Sequence, residues 1–402
     1  RNLQDDATRR AALRSQGFGA ALGVPRLGIF RGSATVIDLG EGQVRDRVLN
    51  PDLAQSIAFQ RSFELGGSYP NSPMGVAALL KQTFMDAEWY RRAWQTWRDS
   101  DRGFLPPETS EALAALDDAE AGSQPVLFET RSEEEYLRAR DIAEQFGLDA
   151  WFRGSGQEYR IIDVLTGRTE PLIVPLDFPD APTVDDPESA LNASVAELRH
   201  WYLAPTSPAR LADANIPFAI TSDGLASLNQ FLPNLRLAVA RGLSPDDALA
   251  ALTTTPAEWL GLARTHGTIE PGKVANLVVA EGNLFTEEAP IREVWVEGIA
   301  HDVTAAPRID PRGTWRIASD DEFGFEAELR IEGPINRLRG YLDLPGGAPP
   351  RFDGLRIDLD DISVVAETGR IETRFDGGEL GYQGFILLAG SVSGESFSGW
   401  TS

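Results

Sequence analysis

Asp223 sits in the run Ile-Thr-Ser-Asp-Gly at 220–224, after a short apolar stretch and before a helical one. A Ser-Asp pair in that place suits the cap of the following helix, expected over 225–240, because a side-chain oxygen there can accept an orphan backbone N–H. The imidazoles are few: His200, His266 and His301, with no cysteine to add thiolate ligands or disulfides. His200, in Arg-His-Trp-Tyr, is the best placed of the three. A half-buried structural ring is the plainer reading for it, and surface or turn placement for His266 and His301. Glu129 and Asp163 could pair for acid–base work, although isolated acids are ordinarily solvated or ion-paired. Gly-Ile-Phe-Arg-Gly-Ser at 28–33 hints at a phosphate loop but lacks the Lys-Ser/Thr ending that such a loop needs.

The elements that must position these residues are short apolar strands alternating with amphipathic helices. Strands are expected at 125–128, 150–152, 172–176 and 218–221, with helices over 76–97, 132–146, 158–165 and 225–240 between and around them. Such alternation indicates βα units and a parallel sheet. Side chains alternate along a strand, so Glu129 and Arg131 share one face, and Arg153 and Ser155 share another. Leu79, Phe84, Trp89, Tyr90 and Trp94 are the apolar positions that the helix over 76–97 could turn to a neighbour. An amphipathic helix is expected from Asp6 to Leu22, and a Gly-rich strand-and-loop element over 24–34. From about Gly272 the pattern turns to strands, and after Pro311 it becomes all-β, with Gly-rich turns between alternating segments. The expected strands there are 315–317, 325–332, 338–344, 355–359, 370–375, 379–388 and 391–394.

A net charge of −24, from 61 acidic and 37 basic residues, disfavours nucleic acid and anionic membrane faces as partners. No apolar run is long enough to span a bilayer. The chain opens on Arg1 in a charged amphipathic stretch, as a processed or shortened polypeptide would. A periplasmic or extracellular location is the expectation, with the cytoplasm as the alternative.

Several segments together carry a family resemblance. They are Ile220–Gly224, Leu-Thr-Thr-Thr-Pro-Ala-Glu-Trp-Leu-Gly-Leu at 252–262, Gly-Thr-Ile-Glu-Pro-Gly-Lys-Val-Ala-Asn-Leu-Val-Val-Ala at 267–280, and Val-Trp-Val-Glu-Gly at 294–298. This set resembles the C-terminal signature of the amidohydrolase superfamily, of the imidazolonepropionase and dihydroorotase type. Gly17-Phe-Gly-Ala-Ala, Tyr69-Pro-Asn-Ser-Pro-Met-Gly and Gln82-Thr-Phe-Met-Asp-Ala-Glu-Trp-Tyr extend the likeness to a subgroup of long tandem amidohydrolases. In that subgroup an amidohydrolase-like domain with weakened metal residues precedes a small β domain and a second, intact amidohydrolase domain.

The resemblance implies an α/β fold: an incomplete (β/α)8 TIM-like barrel with part of a small β-sandwich, followed by an all-β domain. Its boundaries fall at 1–261, 262–305 and 312–402. It implies a divalent metal, zinc, and hydrolysis of non-peptide C–N bonds in cyclic amides. The family's ligands are a His-x-His pair on the first strand, which would precede Arg1, a Lys or Glu on the fourth, one His each on the fifth and sixth, and an Asp on the eighth. Glu129 or Arg131 stands in the fifth-strand histidine region, Ser155 in the sixth-strand slot, and only the eighth-strand Asp223 is kept. Asp223 would ligate the metal and act as general base. Arginine stays protonated and offers no lone pair, so it cannot replace an imidazole. The expectation is therefore a site without metal, in which guanidinium and carboxylate groups neutralise one another. The alternative function is a non-catalytic domain that supports an active domain of the same polypeptide, with those missing or downstream domains as its partners. Without the preceding strands, the half-sandwich keeps an unpaired edge and marginal stability is expected.

Overall fold

The computed structural model describes residues 6–60, 70–100, 105–184, 186, 191–286, 289–304, 312–318, 326–333, 338–343, 356–365, 370–376, 385–393 and 396–401. The chain divides into two compact units. The first comprises residues 1–279, 283–287 and 293–301, and the second 280–282, 288–292 and 302–402.

The first unit is built on a curled seven-stranded sheet in chain order: β1 (Ala20–Gly23), β2 (Phe30–Asp38), β3 (Val48–Ala58), β4 (Val126–Glu129), β5 (Ala150–Arg153), β6 (Leu172–Pro175) and β7 (Phe218–Thr221). β1, β2 and β3 pair antiparallel, whereas β3 through β7 pair parallel. This mixed α/β sheet fits an incomplete TIM-like barrel. The four-residue parallel strands are apolar because both their faces are covered. Val126 and Phe128, Ala150 and Phe152, Leu172 and Val174, and Phe218 and Ile220 pack on the helical layer. The intervening residues turn the other way: Leu127 and Trp151 pack with Ala34, Ala54 and Ile173, and with Trp259 and Leu260. Strict alternation thus decides which side chain reaches the inner face.

Each covering helix has a local reason to start and stop. α2 (Pro73–Asp99) begins at a Ser72 cap with Pro73 in the first turn, three residues earlier than the expected start at Val76. Its buried stripe is Val76, Leu80, Phe84, Ala87 and Tyr90, at spacings of three and four. Trp89, expected in that stripe, is 62% exposed, because it lies only one residue from Tyr90 on a helix of 3.6 residues per turn. The helix Glu133–Phe146 is capped by Ser132 and ended by Gly147 at φ 63°. The helix expected from Asp6 to Leu22 is shorter: α1 spans Ala7–Ser15, Asp6 caps it, and Gly17 at φ 93° turns the chain into β1.

A three-stranded sheet follows, in the order β10 (Ile299–Asp302), β9 (Ile291–Val296), β8 (Leu277–Ala280). The remaining seven strands, β11 (Gly313–Ala318), β12 (Glu326–Glu332), β13 (Leu338–Asp343), β14 (Arg356–Val365), β15 (Arg370–Asp376), β16 (Phe385–Ser393) and β17 (Ser396–Thr401), form an up-and-down antiparallel sheet in chain order. β14 runs six residues beyond the expected end at Leu359. Ser391–Ser393, expected as a separate strand, ends β16 instead, and a tight hairpin pairs Ser393 with Ser396 of β17. Expected strand residues 325, 344, 355, 379–384 and 394 lie outside the described residues, as does Tyr69 of the expected turn.

Candidate functional site

The parallel strands β3–β7 all end at one rim, and the antiparallel β2 begins there: Phe30 pairs with Ile57 near the end of β3. Register then aligns Ala58, Glu129 and Arg153 across three strands. Glu129 and Arg153 are inner-face residues by the alternation of their strands. Their partners come from the start of β2 and from the end of β7. Arg31 Nη1 donates to Glu129 Oε2 at 2.5 Å. Arg153 Nε donates to Asp223 Oδ2 at 3.1 Å, and its Nη2 to the Asp223 carbonyl at 3.1 Å. Arg26, from the β1–β2 connection, reaches Asp223 Oδ1 at 3.4 Å.

One further acid, Asp177, approaches this rim. Asp177 follows β6; burial, with Asp223 and Asp180 adding negative charge, pushes its carboxyl above its ordinary value, against the pull of Arg153. Gly224, at φ 99°, leaves room for these groups: a Cβ there would stand 2.9 Å from Arg153 Nη2 and 3.4 Å from Asp177 Oδ2. Ser155 does not face the centre of the rim. Its N–H and that of Gly156 donate to Glu158 Oε1 at 2.6 and 3.0 Å, which ties the loop after β5 to a buried acid. Arg131 does not pair with Glu129 on its own strand. It donates to Gln60 Oε1 at 2.6 Å.

The cap expected of Ser222 and Asp223 is made elsewhere. Ser227 caps the 3-10 turn Leu228–Gln230 in a reciprocal pair with Gln230, and the helix Phe231–Ala240 follows. Gly224 and the turn after it delay the helix by several residues, so Asp223 is left to the two arginines.

The histidines lie outside this rim. His200 Nδ1 is 3.1 Å from Tyr159 Oη, which also accepts from Arg160 Nε at 3.1 Å; Arg160 donates onward to Glu133 at 3.0 Å. Burial and then Arg160 hold His200 below its ordinary value, and the ring lines a cleft of about 500 Å³ with Asp180, Asn192 and Glu197. His266 sits in a turn with Nδ1 2.8 Å from Thr265 Oγ1, and His301 lies on β10. Burial lowers both their pKa values. Asp163 lines a separate cleft with Arg160 and Arg210 and shares no hydrogen-bond partner with Glu129 among the described residues. The Gly28–Ser33 run is not a phosphate loop: its second half is the start of β2.

These partners decide whether the rim fits a divalent metal. A metal needs free lone pairs converging from several ligands. Here the Asp223 and Glu129 carboxylates already face guanidinium groups, which would repel a cation, and Ser155 and Arg131 offer no imidazole nitrogen. Among the described residues no three His, Asp or Glu side chains come together as a metal-binding group. The residues present do not fit the metal. Arg26, Arg31, Gln60, Asp177 and Glu158 were absent from the sequence-based candidates. A cationic residue at the inner end of an apolar strand was the available signal for Arg31.

Comparison with known proteins adds the family. The sequence model of the amidohydrolase family matches residues 204–306, a span that includes Asp223. The chain is 35% identical over 82 residues to adenine deaminase 2 of Jannaschia sp. (strain CCS1), across 19% of this chain and 13% of that protein. It is 41% identical over 69 residues to imidazolonepropionase of Serratia proteamaculans (strain 568), across 16% of this chain and 17% of that one. The chain thus spans well under a fifth of the length of the curated relatives it matches. An amidohydrolase from Thermotoga maritima MSB8 shares the fold, with a TM-score of 0.60 at 22% identity over 72% of this chain and 73% of that one. Among the described residues no helix is long and apolar enough to cross a membrane.

Proposed function

We propose that this chain, which belongs to the amidohydrolase superfamily, is a catalytically impaired member whose barrel supports an active domain of the same polypeptide. The superfamily is generally metal-dependent, and membership supports C–N bond hydrolysis as the family-level activity. The observation that carries the impaired reading is the occupation of Asp223. Arg26 engages one carboxylate oxygen and Arg153 the other. A general base must be free to take a proton from an attacking water, and here both carboxylate oxygens already accept from guanidinium groups. Arg31 likewise engages one carboxylate oxygen of Glu129.

A second reading keeps the activity in this barrel. It rests on Asp223 lying at the end of β7, where the resemblance places the metal-ligating aspartate. Elemental analysis of the purified full-length polypeptide, with an assay of cyclic-amide hydrolysis, separates the two. The supporting-domain reading expects no metal at this barrel and unchanged hydrolysis after Asp223→Ala. One zinc assigned to this barrel, or hydrolysis lost in that variant with the fold intact, would sink it.

A further inference from the structure

Among the described residues, one guanidinium at the rim is not taken up by a carboxylate. Arg31 is spent on Glu129, and Arg153 and Arg26 on Asp223. Arg131 instead donates to the neutral oxygen Gln60 Oε1 at 2.6 Å, and Arg31 Nη2 approaches the same oxygen at 3.3 Å. The nearest acid on the following helix, Glu135, turns back to accept the Arg131 backbone N–H at 2.8 Å. Arg131 therefore has no ion pair among the described residues. Of the four guanidinium groups along this rim (Arg26, Arg31, Arg131 and Arg153), Arg131 alone lacks a carboxylate partner among the described residues.

Two cationic forks converging on one uncharged oxygen are better satisfied by an oxyanion, because hydrogen bonds between ionised partners are roughly twice as strong as neutral ones. The Arg131 fork is exposed and can take two oxygens in its plane. Once its oxygen is displaced, the Gln60 amide can turn and offer its NH2 group to the same ligand. We propose that Arg131, Arg31 and Gln60 form a binding site for the carboxylate or phosphate group of a small molecule, at the rim beyond β3 and β4. The site uses neither Asp223 nor a metal, so it stands or falls separately from the function proposed above.

Titration calorimetry at low ionic strength tests it, with inorganic phosphate and acetate as separate probes on the full chain. Saturable binding is expected, weakened about tenfold by Arg131→Gln and unchanged by Arg241→Gln, a control arginine stacked on Tyr202. Binding of phosphate alone or of acetate alone identifies which group the site takes. A variant-free arm uses phenylglyoxal labelling read by peptide mass spectrometry. The anion that binds is expected to slow modification of Arg131 several-fold and to leave Arg241 unaffected. Absence of saturable binding by both anions overturns the proposal. So does equal binding by both variants, or labelling of Arg131 that neither anion slows.

Discussion

Glu158 is a carboxyl group with only 3% of its surface exposed. Its Oε1 accepts the N–H groups of Ser155 and Gly156, while Oε2 is buried with no hydrogen-bond partner. Gly154 is the complement of this arrangement, since a Cβ there would collide with Oε1 and Cδ of Glu158. Burial pushes the Glu158 pKa up from its ordinary 4.5, and the backbone N–H groups and Arg153 offset this only in part. An acid raised on folding holds its proton in the native state at a pH where the unfolded chain has released it. Its contribution to stability is therefore complete below 4.5 and is lost as pH rises through the folded value. Glu158→Gln keeps the accepting oxygen and removes the titration. Urea midpoints measured across a pH series should fall through that window in the wild type, with this component missing from the variant. Parallel profiles for the two proteins would show that Glu158 is ionised at no cost.

The connection from β7 to the helix Phe231–Ala240 shows what a cap assignment is worth. Ser227 Oγ accepts the Asn229 N–H, and the Ser227 N–H donates to Gln230 Oε1 in return, so Ser227→Ala should cost about 1 kcal/mol of stability. Ser222→Ala should cost close to nothing, and chemical denaturation of both variants checks the order; the reverse order would restore the cap to the Ser222–Asp223 pair. The strands β4 to β7 were legible because each is a short apolar run between turn residues, buried on both faces. β3 was not, because Asn50, Pro51 and Asp52 interrupt its start and the buried polar residues Gln55 and Ser56 break its alternation. The candidate site was legible to the same degree. Alternation grouped Glu129 with Arg131, and Arg153 with Ser155, on one face of each strand; the packing of the sheet shows that Glu129 and Arg153 turn to the inner face. Their partners were hidden, since 98 residues separate Arg31 from Glu129 and 197 separate Arg26 from Asp223. Only the antiparallel return of β2 onto β3 brings those arginines to the rim, and that pairing was invisible once β3 was missed.

Over the whole molecule the charge balance sets a competition that salt can read. The chain carries 61 acidic and 37 basic residues, so like-charge repulsion acts across its surface in the folded state. Exposed pairs such as Arg92–Glu88 and Arg168–Glu144 oppose it, but each contributes about 0–1 kcal/mol and is itself screened by salt. The Arg31–Glu129 pair behaves differently: its side chains are 4% and 22% exposed, and salt screens such a pair much less. Raising sodium chloride from about 0.01 M to about 1 M shortens the Debye length from about 30 Å to about 3 Å. Long-range repulsion among the excess acids is then removed, while the Arg31–Glu129 contact persists. The melting temperature of the full chain should therefore rise with sodium chloride, followed by circular dichroism at fixed pH. A fall over the same range would mean that the exposed ion pairs outweigh the net repulsion, and that the acidic surface is organised into stabilising networks.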